Sequence, residues 1–108
     1  MAITNTRLTD TLPTRVFQST GQQVVSVMYI CNTSDTIGNV SVNVYCINSN
    51  DSSAGSVDNT IYSKLEITQN DTYVISTEKL VLDNGDEVEV EANVANVITV
   101  TVSSFAIG

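Results

Sequence analysis

The chain has 108 residues, 42% of them hydrophobic, with four basic and twelve acidic side chains, no histidine and a net charge of −8. That length and apolar content imply one domain with its own core and exclude intrinsic disorder. Arg7, Arg15, Lys64 and Lys79 are scattered. A phosphate backbone needs clustered cations, and an anionic membrane repels so acidic a chain, so neither nucleic acid nor membrane is an expected partner.

The opening MAITNTRLTDTLPTR has no basic region followed by an apolar run, and no apolar stretch approaches the ~20 residues of a membrane span. The expectation is synthesis and folding in a cytoplasm. The first 20 residues offer few core-grade positions, so they read as a possible assembly arm of the single 1–108 domain. Arg7, Arg15 and Phe17 are its expected assembly contacts.

Beyond the arm, helical periodicity is absent and period-two alternation recurs. QQVVSVMYI (22–30) is apolar on both faces, which predicts a central or covered strand. In NVSVNVYCI (39–47), Val40, Val42, Val44 and Cys46 share one face. In TIYSKLEIT (60–68), Ile61, Leu65 and Ile67 oppose Tyr62, Lys64 and Glu66. In VITVTVSS (97–104), Ile98, Val100 and Val102 oppose Thr99, Thr101 and Ser103. Each predicts a strand with one face in the core and one in water. Asn-, Ser-, Asp- and Gly-rich turns at 21–22, 32–39, 48–59, 68–71 and 83–86 separate these runs. About eight strands are expected, in an all-β antiparallel sandwich or jelly roll. The 48–59 segment is the longest loop, read either as plainly flexible or as ordered by a partner.

The stretch EKLVLDNGDEVEVEA (78–92) sets Glu87, Glu89 and Glu91 opposite Val88, Val90 and Ala92. A three-residue hairpin loop, Asp83-Asn84-Gly85, would pair Leu80 with Val88 and Lys79 with Glu89, with Gly85 in the left-handed position. The glutamates then form the outward face of a strand. A solvated acidic face is the simpler reading. The sharper one is a calcium site on Asp83, Asp86 and Glu87, although the D-N-G-D-E run lacks the full spacing of a calcium loop.

Catalytic chemistry is sparse. Without histidine there is no ready base near neutral pH, and no nucleophile elbow, phosphate loop or H-E-x-x-H motif occurs. The glutamate row has the residue type of a glycosidase pair but no evident cleft. No enzyme activity, cofactor or metal is expected. Cys31 and Cys46 read as free buried thiols, too far apart for a disulfide if their strands are antiparallel neighbours. Tyr29, Tyr45, Tyr62 and Tyr73 could stack sugars, but more often such residues form core rims or protein contacts.

The phrases NTIY (59–62), NDTYV (70–74), EKLVLDNGD (78–86) and the closing VTVSS, with TNTRLTDT and VVSVMYICN upstream, give nearly the whole chain a resemblance to small virion proteins of tailed bacteriophages, particularly those infecting marine cyanobacteria. The resemblance implies an all-β structural subunit, present in many copies and assembled in the host cytoplasm into the virion. Capsid decoration is the first expectation, and a neck, tail or fibre-associated subunit the second. Implied partners are copies of itself, a trimer among the arrangements open to symmetric β subunits, and other virion proteins such as the major capsid protein. Two further classes stay open: a host-glycan recognition module using the tyrosines and the 48–59 loop, and an inhibitor that mimics nucleic acid by its charge.

Overall fold

A computed structural model describes residues 2–50, 55, 57–76 and 79–107. Within them the chain forms nine strands: β1 (Ala2–Arg7), β2 (Thr14–Gln18), β3 (Gln23–Asn32), β4 (Asn39–Ile47), β5 (Thr60–Thr68), β6 (Thr72–Ile75), β7 (Leu80–Leu82), β8 (Glu87–Ala92) and β9 (Ile98–Ala106). One 3-10 turn (Val57–Asn59) leads into β5. The first sheet runs β1-β9-β3-β6, with β7 also on β3, and the second runs β2-β8-β4-β5. All pairings are antiparallel.

The chain changes sheet at every connection except β4–β5 and β6–β7. Strands β6 and β7 follow one another along the same edge of β3, opposite Met28–Cys31 and Gln23–Val25. Counted as one interrupted strand, they complete two four-stranded sheets in the connectivity of a jelly roll. The fold is therefore the all-β sandwich that the alternation predicts.

The apolar faces of the alternating strands meet between the sheets. Val40, Val42 and Val44 from β4, Val88, Val90 and Ala92 from β8, and Ile98, Val100 and Val102 from β9 are all fully buried, beside Met28 and Ile30 of β3. Each of the Val, Ile and Met side chains contributes roughly 1.5–3 kcal/mol of transfer free energy. Asn32 closes one end of this layer from within. Its amide donates to the Ile67 carbonyl on the other sheet at 3.0 Å and accepts from the Ser34 amide at 3.1 Å. A buried polar side chain with both ends bonded ties the sheets together without an unsatisfied group.

Several expectations about register and pairing are corrected. Strands β3 and β4 lie in different sheets, so Cys31 and Cys46 are not on neighbouring strands; both are free and half-buried. In β5, Val42 pairs with Leu65 but Val44 pairs with Tyr62. The extra residue falls at Ser63-Lys64, where Lys64 takes a left-handed φ of 57° and its amide donates to the Asn43 side chain at 2.7 Å. The bulge reverses the alternation beyond it. Tyr62 consequently packs against the core, and a second shift, between Tyr62 and Thr60, leaves Ile61 unpaired and partly exposed at the edge of the sheet.

The expected β7–β8 hairpin does not form. Leu80 and Leu82 pair with β3 in one sheet while Glu87–Ala92 pairs with β2 and β4 in the other, so residues 83–86 turn a corner between sheets. The turn itself is as expected, with the Asp86 amide on the Asp83 carbonyl at 3.1 Å and Gly85 at φ 90°. Among the described residues no helix is long and apolar enough to cross a membrane.

Candidate interaction surfaces

The acidic row lies on the outer face of the second sheet. Strand β8 is central there, with Glu89 opposite Arg15 of β2 and Tyr45 of β4, and Glu91 opposite Asn43. The three glutamates are half-buried rather than fully solvated. Glu91 accepts from the Tyr45 hydroxyl at 2.5 Å and the Asn43 amide at 3.2 Å. Glu89 accepts from the Gly55 backbone amide at 2.8 Å. Gly55 sits so close over the Tyr45 ring that a β-carbon at this position would overlap it. Burial, and next the hydrogen bond to the Glu91 carboxylate, raise the Tyr45 phenol above its ordinary value. Part of the 48–59 loop thus roofs this face; residues 51–54 and 56 lie outside the described residues.

The roof is anchored at the 83–86 corner. Asp86 accepts from the Ser49 amide at 2.8 Å and the Asp83 amide at 3.0 Å, and the first of these bonds is the main reason its carboxyl lies below the ordinary range. Asp83 accepts from the Gln22 side chain at 3.1 Å. Two of the three side chains considered for calcium, Asp83 and Asp86, are therefore bonded to amides of their own chain. Among the described residues no group of three or more His, Cys, Asp or Glu is placed to hold a metal ion. Lys79, expected opposite Glu89, instead donates to the Ser26 and Ser76 carbonyls at 3.0 and 2.7 Å, in the gap between β6 and β7.

The tyrosines do not share a surface. Tyr45 is buried under Gly55, and Tyr29 lies on the first sheet. Tyr62 and Tyr73 meet edge to face at 6.4 Å beside a cavity of about 280 Å³ lined by Met28, Ile61, Tyr62, Ile75 and Leu80. That lining is predominantly apolar and offers few groups to a sugar hydroxyl.

The expected assembly contacts belong to strands rather than to a free arm. β1 is the edge of the first sheet on β9, and β2 the edge of the second on β8. Phe17 is buried in the core with Leu8 and Val16. Arg7 donates to the Asn96 carbonyl at 2.8 Å, and Arg15 to the Gln18 side chain at 3.1 Å. What residues 2–18 offer a neighbour is thus two sheet edges.

The outer face of the first sheet has the opposite character. The register puts Ile3 beside Ser103, Tyr29 between Thr101 and Val74, and Val24 between Phe105 and Val81, all pointing away from the buried row of β9. Ile3, Tyr29, Val74, Val81, Phe105 and the following Ile107 are exposed, Ile3 by 69% and Val81 by 64%. The remaining strand positions of this face are mainly Thr, Ser and Asn, with no Asp or Glu among the described residues of its strands, and Asp83, just beyond β7, stands at its margin bonded to Gln22. Sequence reading marked the strand at 22–30 as apolar on both sides but missed this surface, because it is assembled from five strands distant in the chain.

No family model, curated protein or solved structure matches the chain. The surfaces themselves therefore carry the functional argument. An acidic face roofed by its own loop suits solubility, and a bare apolar sheet suits contact with protein.

Proposed function

We propose that this protein is a non-enzymatic structural subunit of a tailed-bacteriophage particle, with capsid decoration as its place. The observation that carries the reading is the exposed apolar face of the first sheet on an otherwise acidic chain. A contiguous patch of that kind marks a site of protein contact. Jelly rolls build viral capsids as well as lectins and cupins, so the fold is compatible with the reading without deciding it. The resemblance of NTIY, NDTYV and EKLVLDNGD to phage virion proteins supplies the particle. In this reading the partners are further copies of the chain and the major capsid protein, and nucleic acid and membrane play no part.

Copy number in purified particles tests the proposal. Hundreds of copies per particle are the expected outcome for decoration. A dozen or fewer would move the subunit to neck, tail or fibre, and absence from washed particles would overturn the structural role. The glycan reading gains nothing from the apolar cavity beside Tyr62 and Tyr73.

A further inference from the structure

We infer that the outer face of the first sheet is the contact between two copies of this chain, packed face to face. The inference rests on the structural-subunit reading above and names the partner of that surface. Six side chains carry it: Ile3, Tyr29, Val74, Val81, Phe105 and Ile107. Their exposures run from 40% to 69%, and together they present on the order of 500 Å² of largely apolar surface. Two such faces and their hydroxyl-bearing surrounds would remove roughly 1,000 Å² or more from water, the lower bound for a specific protein interface.

Charge identifies the occupant. Two copies at −8 each repel, and the repulsion is least where neither brings a carboxylate to the contact. Among the described residues the strands of this face bring no carboxylate, and Asp83 at its margin is held by the Gln22 side chain, whereas the second sheet brings Glu87, Glu89 and Glu91. The two cations at the margins of the face are also occupied. Arg7 is bonded to the Asn96 carbonyl, and Lys79 to the Ser26 and Ser76 carbonyls. No cation here waits for an acidic partner. The surface calls for a neutral counterpart of apolar and hydroxyl side chains, and another copy of the same face supplies one. Two antiparallel sheets stack about 10 Å apart, the spacing already used inside each sandwich. A two-fold arrangement closes the contact and, among the described residues, leaves no further apolar sheet face exposed.

Sedimentation equilibrium of the purified full chain over a wide concentration range reads the association without any particle, so its failure is distinct from failure of the virion role. The wild type is expected to dimerise, and more tightly as salt rises, because screening weakens repulsion between the two copies. Val81→Asp and, on a separate strand, Val74→Lys should each weaken the dimer at least tenfold while circular dichroism and thermal unfolding stay near wild type. Glu66→Lys, on the outer side of the second sheet, should leave it unchanged. A monomer at every concentration would overturn the inference. So would a dimer indifferent to both Val81→Asp and Val74→Lys, as pairing through the β1 edge would produce.

Discussion

The second sheet shows the outside Glu87, Glu89 and Glu91 and covers part of them with Gly55, while the first sheet shows Ile3, Tyr29, Val74, Val81 and Phe105 and, among the described residues, leaves them bare. Both sheets are built from the same alternating Val, Ile and Thr grammar, and both turn the same kind of residue inward. The difference lies wholly on the outer positions. Charge is concentrated where the chain's own loop supplies hydrogen bonds to it. Apolar area is concentrated where nothing of the described chain reaches. A sandwich can therefore devote one sheet to solubility and the other to contact without changing its core.

The sharpest break of this arrangement is in the layer the two sheets share. Val100 is fully buried between them. Val100→Asp buries an unpaired charge and should cost on the order of 3–5 kcal/mol, read as a lower denaturant midpoint. Both outer faces should be lost together, so protection of the Tyr45 hydroxyl and self-association should disappear in one transition.

A smaller change separates the faces. Gly55→Ala places a β-carbon against the Tyr45 ring, so the ring or the loop must shift. Overpacking of this kind costs typically 1–3 kcal/mol. The expected readouts are faster proteolysis of the 48–59 loop and a Tyr45 phenol that titrates closer to its ordinary value, with association of the first sheet unaltered. Loss of association in this variant would show that the two faces are coupled.

How far these features were legible in the sequence depends on the range of the information. Alternation placed Val40 to Val44, Val88 to Ala92 and Ile98 to Val102 correctly, because each strand carries its own period. Bulges defeat that reading. The register shift between Arg15 and Phe17 lets the consecutive Val16 and Phe17 both face the core, so residues 1–20 looked poorer in core positions than they are. In β5 the shift at Ser63-Lys64 turns Tyr62 toward the core, and the next one leaves Ile61 unpaired. The 83–86 turn misled for another reason. A hairpin and a corner between sheets both use a left-handed glycine, and Gly85 serves either. What decides is that β8 already has β2 and β4 on its two sides, leaving no room for β7. That fact lies in pairings tens of residues away. The apolar face is invisible for the same cause: Val81 and Phe105 become neighbours only through Val24 between them.

The corner that anchors the roof gives a pH test. Bonding to the Ser49 amide depresses the Asp86 carboxyl. A depressed carboxylate contributes stability that is fully present above the unfolded value, near 4, and is lost as pH falls through the lower folded value. Asp86→Asn keeps one acceptor oxygen and gives up a charged one. It should cost about 0.5–1 kcal/mol at neutral pH and flatten the acid limb of the stability curve below pH 4. An acid limb identical to wild type would mean that the bonds to Ser49 and Asp83 contribute nothing measurable in solution.

The smallest effect on folding is expected from changing Glu87, Glu89 and Glu91 together to Gln. Neighbours in the row stand ~7 Å apart on one face, where partial hydration keeps their repulsion modest. Glutamine retains a carbonyl oxygen, so the bonds from Gly55 to position 89, and from Tyr45 and Asn43 to position 91, can persist in neutral form. Relief of repulsion and weakening of these bonds act in opposite directions, and stability should change by less than about 1 kcal/mol. Solubility should respond more, since removing three charges takes the chain from −8 to −5. The Tyr45 phenol supplies an independent readout. Burial is the first cause of its raised value and the Glu91 carboxylate the second. In the triple variant it should fall toward the ordinary value but stay above it, because the ring remains under Gly55. A phenol that does not move would show that Tyr45 and Glu91 are not bonded in solution. One that falls all the way would show that the loop has lifted off the face.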